Sequence, residues 1–222
     1  MFKLDVGYLD WQLKVAQSKD KLEDPIKKII QKGLQASCSI YVNHKNSKWS
    51  GSGFHIGNGL IVTAAHVIPP ELTLDVDITF DNKTLYKATV VAAEPNFDAG
   101  ILSCPQIMNS IPTVELGDSN NVEVGDIVAV IGSPEGFHDT ATVGRITNVH
   151  QSLGQAAPTP AWRDIIFIDA DILEGSSGGM VIGTDGKVYG LIMGVTGQHS
   201  DVGVGQNSAC PSNKIIELLS KV

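Results

Sequence analysis

A histidine at the end of one apolar run, an aspartate ahead of another, and two serines among glycines are the residues of this chain best suited to chemistry. His66 lies in "LIVTAAHVI", Asp98 in "EPNFDAGIL", and Ser176 and Ser177 in "LEGSSGGM". Acyl transfer by a serine needs a nucleophile, a base within hydrogen-bond reach, a carboxylate to orient that base, and backbone N–H groups for the oxyanion. Each part has a candidate here, in the order His, Asp, Ser. Singly, each has a plainer reading: a histidine among apolar residues is usually structural, and an aspartate before a strand is a turn or cap residue. A Gly/Ser cluster is commonly an ordinary loop. These glycines, however, permit a sharp turn that exposes a hydroxyl and aims neighbouring amides one way.

The elements that must position these residues read as strands. After Ser37 the runs "CSIYV", "GSGFHIG", "GLIVTAA", "LDVDITF" and "YKATVVAAE" alternate with Gly, Asn and Asp turns. A connection, "NSIPTVELGDSN", leads to a second series: "DIVAVIG", "ATVGRITNV", "DIIFIDAD", "GMVIG", "VYGLIMG" and "QNSAC". No helical crossovers separate these runs, so paired antiparallel barrels fit better than βαβ units. Ahead of them, Ile26, Ile29, Ile30 and Leu34 recur at helical spacing, with Asp24 as N-cap and Pro25 at the first helical position. The end, "PSNKIIELLSKV", reads as a helix capped by Ser212, with Ile215, Leu218 and Leu219 on one face. The expected organisation is an N-terminal extension with an amphipathic helix (1–36), a first barrel with His66 and Asp98 (37–118), and a second with Ser177 and a C-terminal helix (119–222). "SLGQAAPTPAW" reads as an exposed loop.

Composition narrows the partners. The 222 residues are enough for a sizeable core, and their formal charge of −8 opposes nucleic acid or an anionic membrane as partner. Cys38, Cys104 and Cys210 form neither a disulfide framework nor a zinc pattern, and read as buried free thiols in a reducing compartment. His44, His55, His138, His150 and His199 have no carboxylate or cysteine at metal-ligand spacing, so no metal and no cofactor are expected. The amino end lacks a continuous apolar region and no segment approaches a membrane span. The chain as given therefore reads as soluble and cytoplasmic.

The motifs, taken together and in order, resemble those of trypsin-like serine proteases of the chymotrypsin fold, and most closely the protease domain of the HtrA (high-temperature requirement) group. The resemblance runs through "GSGFHIGNGLIVTAAHVI", "NFDAGIL", "VAVIGSPEG" with "VGRIT", "IDADILEGSSGGMVI", "VYGLIMG" and "ACPSN" before a helix, covering about Ser37 to the carboxyl end. It implies an all-β fold of two six-stranded antiparallel β-barrels with an N-terminal helical extension and a short C-terminal helix. It implies His66 as general base, Asp98 as its orienter, Ser177 as nucleophile, and the amides of Gly175 and Ser177 as oxyanion hole. Ser176 then stands where trypsin-type enzymes carry an Asp that pairs with a newly cleaved amino terminus. With neither that Asp nor an "IVGG"-type start, zymogen cleavage is not expected.

The resemblance also suggests a substrate pocket. Asp171, six residues before the nucleophile, stands at the base of the primary specificity pocket of trypsin-like enzymes, where a partly desolvated carboxylate would favour Lys or Arg at P1. It could equally face solvent or pair with a cation of this chain. Asp169 is the better candidate for a structural acid, and Glu174 for a solvated one. Met193, Gly194 and Val195 fall on the strand that pairs with extended substrate, and Asn207 with Ala209 on the opposite wall. HtrA proteins usually continue into a PDZ domain, whereas the sequence as given stops at the helix after "ACPSN" and reads either as a free-standing protease or as a trimmed larger protein; they often trimerise through amino-terminal aromatics, a part Phe2, Tyr8 and Trp11 could play in a homo-oligomer.

The expected function is a serine endopeptidase acting on exposed, extended polypeptide segments. A narrow processing protease activated by its partner is a second reading. The rival from another class is a chymotrypsin-fold module that captures polypeptides without cutting them.

Overall fold

The computed structural model describes residues 25–44, 47–68, 75–80, 83–133, 140–152, 163–196 and 206–222. Phe2, Tyr8, Trp11, Asp24, His138, His199 and most of the Ala/Pro-rich segment lie outside them. A helix, α1 (25–36), leads into β1 (Ser37–His44), β2 (Ser47–Gly57), β3 (Leu60–Thr63), β4 (Asp75–Thr79), β5 (Tyr86–Glu94) and β6 (Ala99–Ser103). These six close into a barrel in the order β1-β2-β3-β6-β5-β4. After β7 (Glu115–Leu116) come β8 (Ile127–Gly132), β9 (Thr140–Ser152), β10 (Arg163–Ile168), β11 (Met180–Gly183), β12 (Lys187–Thr196) and β13 (Gln206–Pro211). The last six run β11-β8-β9-β10-β13-β12 and close by pairing β11 with β12, while β7 adds a short parallel segment on β12. Both barrels are antiparallel and six-stranded, as the resemblance implied.

The sequence of each strand follows from what covers its faces. In β5 only alternate residues are inside: Ala88 and Val90 are buried, Lys87, Thr89 and Val91 exposed, the period-2 pattern of a strand wetted on one side. In β8, "IVAVIG", the run is apolar throughout because both faces are covered. Val128 and Val130 join the interior of the second barrel, while Ala129 and Ile131 join the apolar seam between the barrels. In β10, Ile166 and Ile168 point into the barrel and Ile165 and Phe167 into the seam. From the first barrel Phe54, Val62, Ala99 and Ile101 enter the same seam, with Ile61 and Leu102 turned to their own barrel's interior.

Both helices close the ends of that seam. Ile29, Ile30 and Leu34 of α1 pack on it, and Ile215 and Leu218 of α2 (Ser212–Leu219) are buried in it. Ser212 is not a cap. It is the first helical residue, fully buried, and its Oγ donates to the Gly117 carbonyl at 2.7 Å. A buried hydroxyl needs a partner, and the carbonyl beside β7 supplies one that the helix terminus does not. Asn213 extends the latch, donating from Nδ2 to Asp118 Oδ1 at 2.7 Å. That hydrogen bond, with the Asn120 N–H, holds the Asp118 carboxyl below its ordinary range.

Since a single apolar cluster joins the two barrels, their stabilities are linked. Phe54, fully buried in it, is the test: Phe54→Ala should lower the unfolding free energy by about 3–5 kcal/mol. Chemical denaturation should show fluorescence and circular dichroism falling at one shared midpoint; separate midpoints would mean independent barrels.

Candidate active site

His66 sits in a short 3-10 turn (Ala65–Val67) directly after β3, with Val67 buried beneath it. Small Ala64 and Ala65 let the chain turn tightly, and Trp49 of β2 pins the turn by donating from Nε1 to the Val67 carbonyl at 2.6 Å. Asp98 lies 32 residues away, at the end of the turn leading into β6. Its φ of 56° is left-handed, a conformation aspartate tolerates better than most residues. That conformation lets one residue grip two neighbours. The Asp98 carbonyl accepts from Ala65 N at 3.2 Å, Oδ1 accepts from His66 N at 2.9 Å, and Oδ2 meets His66 Nδ1 at 2.7 Å.

This geometry sets the histidine's tautomer. A carboxylate only accepts, so Nδ1 carries the proton and Nε2 presents its lone pair. The carboxylate is mostly enclosed, with 13% of its side chain exposed against 49% for the imidazole. Solvent reaches the ring rather than the ion behind it. Asp98 also acts on Cys210, whose thiol is pushed up first by burial and then by that negative charge. Burial likewise raises the Cys38 and Cys104 thiols. All three cysteines are free and buried, so none presents a reactive thiolate at the surface.

Ser177 lies between β10 and β11 on a backbone that glycine makes feasible. Ser176 N donates to the Leu173 carbonyl at 3.0 Å, closing a turn whose third residue, Gly175, has φ 89° while Glu174 is not left-handed. That combination defines a type II turn, in which only glycine fits the third position comfortably. Ser176 closes it a second time, its Oγ accepting from Leu173 N at 3.1 Å. Beyond it Gly178, with φ 88°, donates to the Ile192 carbonyl, and Gly179 N donates to the Ser176 carbonyl, both at 2.8 Å. The amides of Ser176, Gly178 and Gly179 are thus engaged. Those of Gly175 and Ser177 meet no acceptor among the described residues.

The Ser177 hydroxyl donates to the Met193 carbonyl of β12 at 3.5 Å, and no hydrogen bond joins it to the His66 ring. The histidine and aspartate are therefore brought together, while the serine hydroxyl engages a different partner. Met193 is buried and Gly194 has φ 150°. On β12, pairing with β11 ends at Leu191, while pairing with β13 continues to Thr196. The other edge of residues 193–195 is consequently unpaired with β11, and Gly194 is fixed from behind by Ser208 Oγ, which donates to its carbonyl at 2.8 Å. Val195 stands opposite Asn207 in the pairing of β12 with β13.

The acids and the wall residue divide differently. Asp171 is exposed, makes no ion pair among the described residues, and is anchored through its carbonyl, which accepts from Thr142 Oγ1 at 2.6 Å. Asp169, just past β10 rather than in it, uses Oδ1 to accept from Arg145 N. Glu174 is exposed. Asn207 is buried, its Nδ2 donating to the Ala170 carbonyl at 2.5 Å, beside fully buried Ala209. His55 is fully buried with Nδ1 against the carbonyls of Ile111 and Pro112, and His150 pairs with Asp164 at 2.8 Å. Among the described residues no three His, Cys, Asp or Glu side chains converge on a metal position. Trp49 and the Ser176 Oγ bond escaped the sequence reading. Each joins residues whose relation appears only when the turns form.

Residues 51–191 match the trypsin-like peptidase domain, and the chain belongs to that family. Among curated relatives it is 33% identical over 174 residues to a probable periplasmic serine endoprotease DegP-like protein of Chlamydia pneumoniae, covering 76% of this chain and 34% of that protein. It is 30% identical over 183 residues to serine protease HTRA1A of Danio rerio, covering 82% and 36%. The chain thus spans about a third of the length of these relatives. Among solved structures it is similar to the HtrA-type protease AlgW with tripeptide, at a TM-score of 0.75 and 23% identity over 87% of this chain and 62% of that one. At that identity the likeness speaks for the fold. The first relative's name says periplasmic, which lends the cytoplasmic expectation no support. No helix among the described residues is long and apolar enough to cross a membrane.

The serine turn is packed without slack. A Cβ on Gly178 would overlap the Ser52 carbonyl and crowd Thr63 Oγ1. Gly178→Ala should therefore cost more than the about 1–2 kcal/mol of a left-handed non-glycine residue, because the Ser52 backbone must also move. Denaturant titration reads this directly; a change below 1 kcal/mol would show that the turn is looser than its contacts imply.

Proposed function

We propose that the chain is a serine endopeptidase that hydrolyses exposed, extended polypeptide segments, with Ser177 as nucleophile, His66 as base and Asp98 as orienter. The observation that carries this reading is the two-point grip of Asp98 on His66, together with a serine turn whose Gly175 and Ser177 amides meet no acceptor among the described residues. In the reaction the Ser177 Oγ bonds to the scissile carbonyl carbon while its proton passes to His66 Nε2. Asp98 stabilises the imidazolium that forms. The carbonyl oxygen becomes an oxyanion facing the Gly175 and Ser177 N–H groups. Collapse breaks the C–N bond, with His66 returning the proton to the leaving amine. Water, deprotonated by His66, then hydrolyses the acyl-enzyme.

Substrate enters as an extra strand along residues 193–195, whose edge is unpaired with β11. The Met193 carbonyl, which holds the Ser177 hydroxyl at 3.5 Å, is then contested by a backbone N–H of the substrate, and the released hydroxyl turns to His66. That contact supports the second reading, a narrow processing protease whose nucleophile engages only when its partner is bound. A non-cleaving capture module fits less well, since such a module has no need of an oriented His–Asp pair. Asp171, exposed and unpaired among the described residues, is the acid proposed to select Lys or Arg at P1.

An active-site fluorophosphonate separates cutting from capture: wild type should be labelled and Ser177→Ala should not. Unlabelled wild type, or a labelled Ser177→Ala, would sink the nucleophile assignment. Asp98→Asn should lower kcat by about 10⁴-fold by inverting the histidine tautomer. For specificity, a peptide library should show Lys/Arg at P1 that Asp171→Ser abolishes. A profile without basic residues, or one that this substitution leaves intact, removes Asp171 from the pocket.

A further inference from the structure

The "GSG" of β2 has no part in the chemistry above, yet its serine reaches the nucleophile turn with both its hydroxyl and its amide. Ser52 is fully buried in the first barrel. Its Oγ donates to the Gly175 carbonyl at 2.7 Å, across 123 residues of sequence, and accepts from Ser133 N at the end of β8 at 2.8 Å. Its own N–H donates to the Ser177 carbonyl at 2.8 Å, and its carbonyl accepts from Thr63 Oγ1 at 2.8 Å. A Cβ on Gly132 would lie 2.9 Å from Ser52 Oγ. The hydroxyl thus lies close against the Gly132 backbone, where a side chain on that residue would crowd it.

We propose that Ser52 is a positioning residue for the oxyanion-binding turn, holding the second barrel's donor amides in register from the first barrel. Peptide units are rigid planes, and along this turn they alternate in role. The plane joining Glu174 to Gly175 carries one unengaged N–H, and the plane joining Ser176 to Ser177 carries the other. Between them the plane joining Gly175 to Ser176 is held at its carbonyl by Ser52 Oγ. After them the plane joining Ser177 to Gly178 is held at its carbonyl by Ser52 N–H. One residue therefore fixes every second plane, and each fixed plane limits the rotation of the donor plane next to it.

This inference rests on the peptidase reading, and its test has one arm that does not. Ser52→Ala is compared with Ser212→Ala, which removes an equally short bond from a fully buried serine to a carbonyl far from the site. The two should lose similar thermal stability. Only Ser52→Ala should lose kcat, by about 10- to 100-fold, with KM within about twofold of wild type. If kcat is kept in Ser52→Ala, or falls equally in both, the positioning role is overturned. The second arm follows hydrogen exchange of the Ser176 amide, which closes the turn on Leu173. It should quicken by roughly tenfold or more in Ser52→Ala relative to Ser212→Ala. Should wild type cut no peptide at all, the peptidase reading fails and this arm alone decides: equal exchange in the two variants overturns the role. Where Ser52→Ala does not fold, Ser52→Cys, with its weak Sγ–H donor, carries the same comparisons.

Discussion

Everything in this molecule depends on the apolar seam between two closed barrels. A closed barrel has already satisfied its hydrogen bonds and filled its interior, so nothing in its ladder obliges it to adhere to another. What obliges it here is a second apolar face: Phe54, Val62 and Ile101 on one side, Ile131, Ile165, Phe167 and Met180 on the other. Removing that area from water supplies the docking force, and the candidate site lies where the docked barrels meet. His66 and Asp98 belong to the first barrel and Ser177 to the second. Their relative placement can be no better defined than the seam.

Polar contacts then refine what the seam brings within reach. Ser52, Ser133, Gly175 and Ser177 are tied by hydrogen bonds of 2.7–2.8 Å that cross from one barrel to the other. These bonds are directional where hydrophobic burial is not, and being buried they cannot be exchanged for water without cost. The Asp98 grip on Ala65 and His66 does the same inside the first barrel. Apolar area sets how firmly the halves adhere, and a few enclosed polar atoms set the angle.

How much of this was legible beforehand follows from the range of each interaction. The strands could be read because their signal is local: "IVAVIG" is apolar at every position since both its faces are covered, and "YKATVVAAE" alternates since one is not. The candidate triad could be read because each member sits in a short motif whose order matches a family. Ser212 misled because Ser before a helical run is ordinarily a cap, and only the arrival of Gly117 from β7 makes a burial partner more demanding than the helix end. Ser52 and Trp49 left no trace, since "GSGFHIG" reads as a strand without saying what its serine meets, and Trp49 belongs to no motif. Contacts across 123 or 18 residues create no periodicity. The placement of Asp171 depends on how a loop leaves β10, which pattern cannot supply.

The division of the site between the barrels bears on how a cell makes such a chain safely. During synthesis the amino-terminal strands emerge first, and a chain that has closed only its first barrel holds an oriented histidine without the serine turn. The serine turn appears later, and its shape is completed by groups of the earlier barrel. Whatever chemistry the site performs would thus switch on only with the last act of folding, when the second barrel docks on the first.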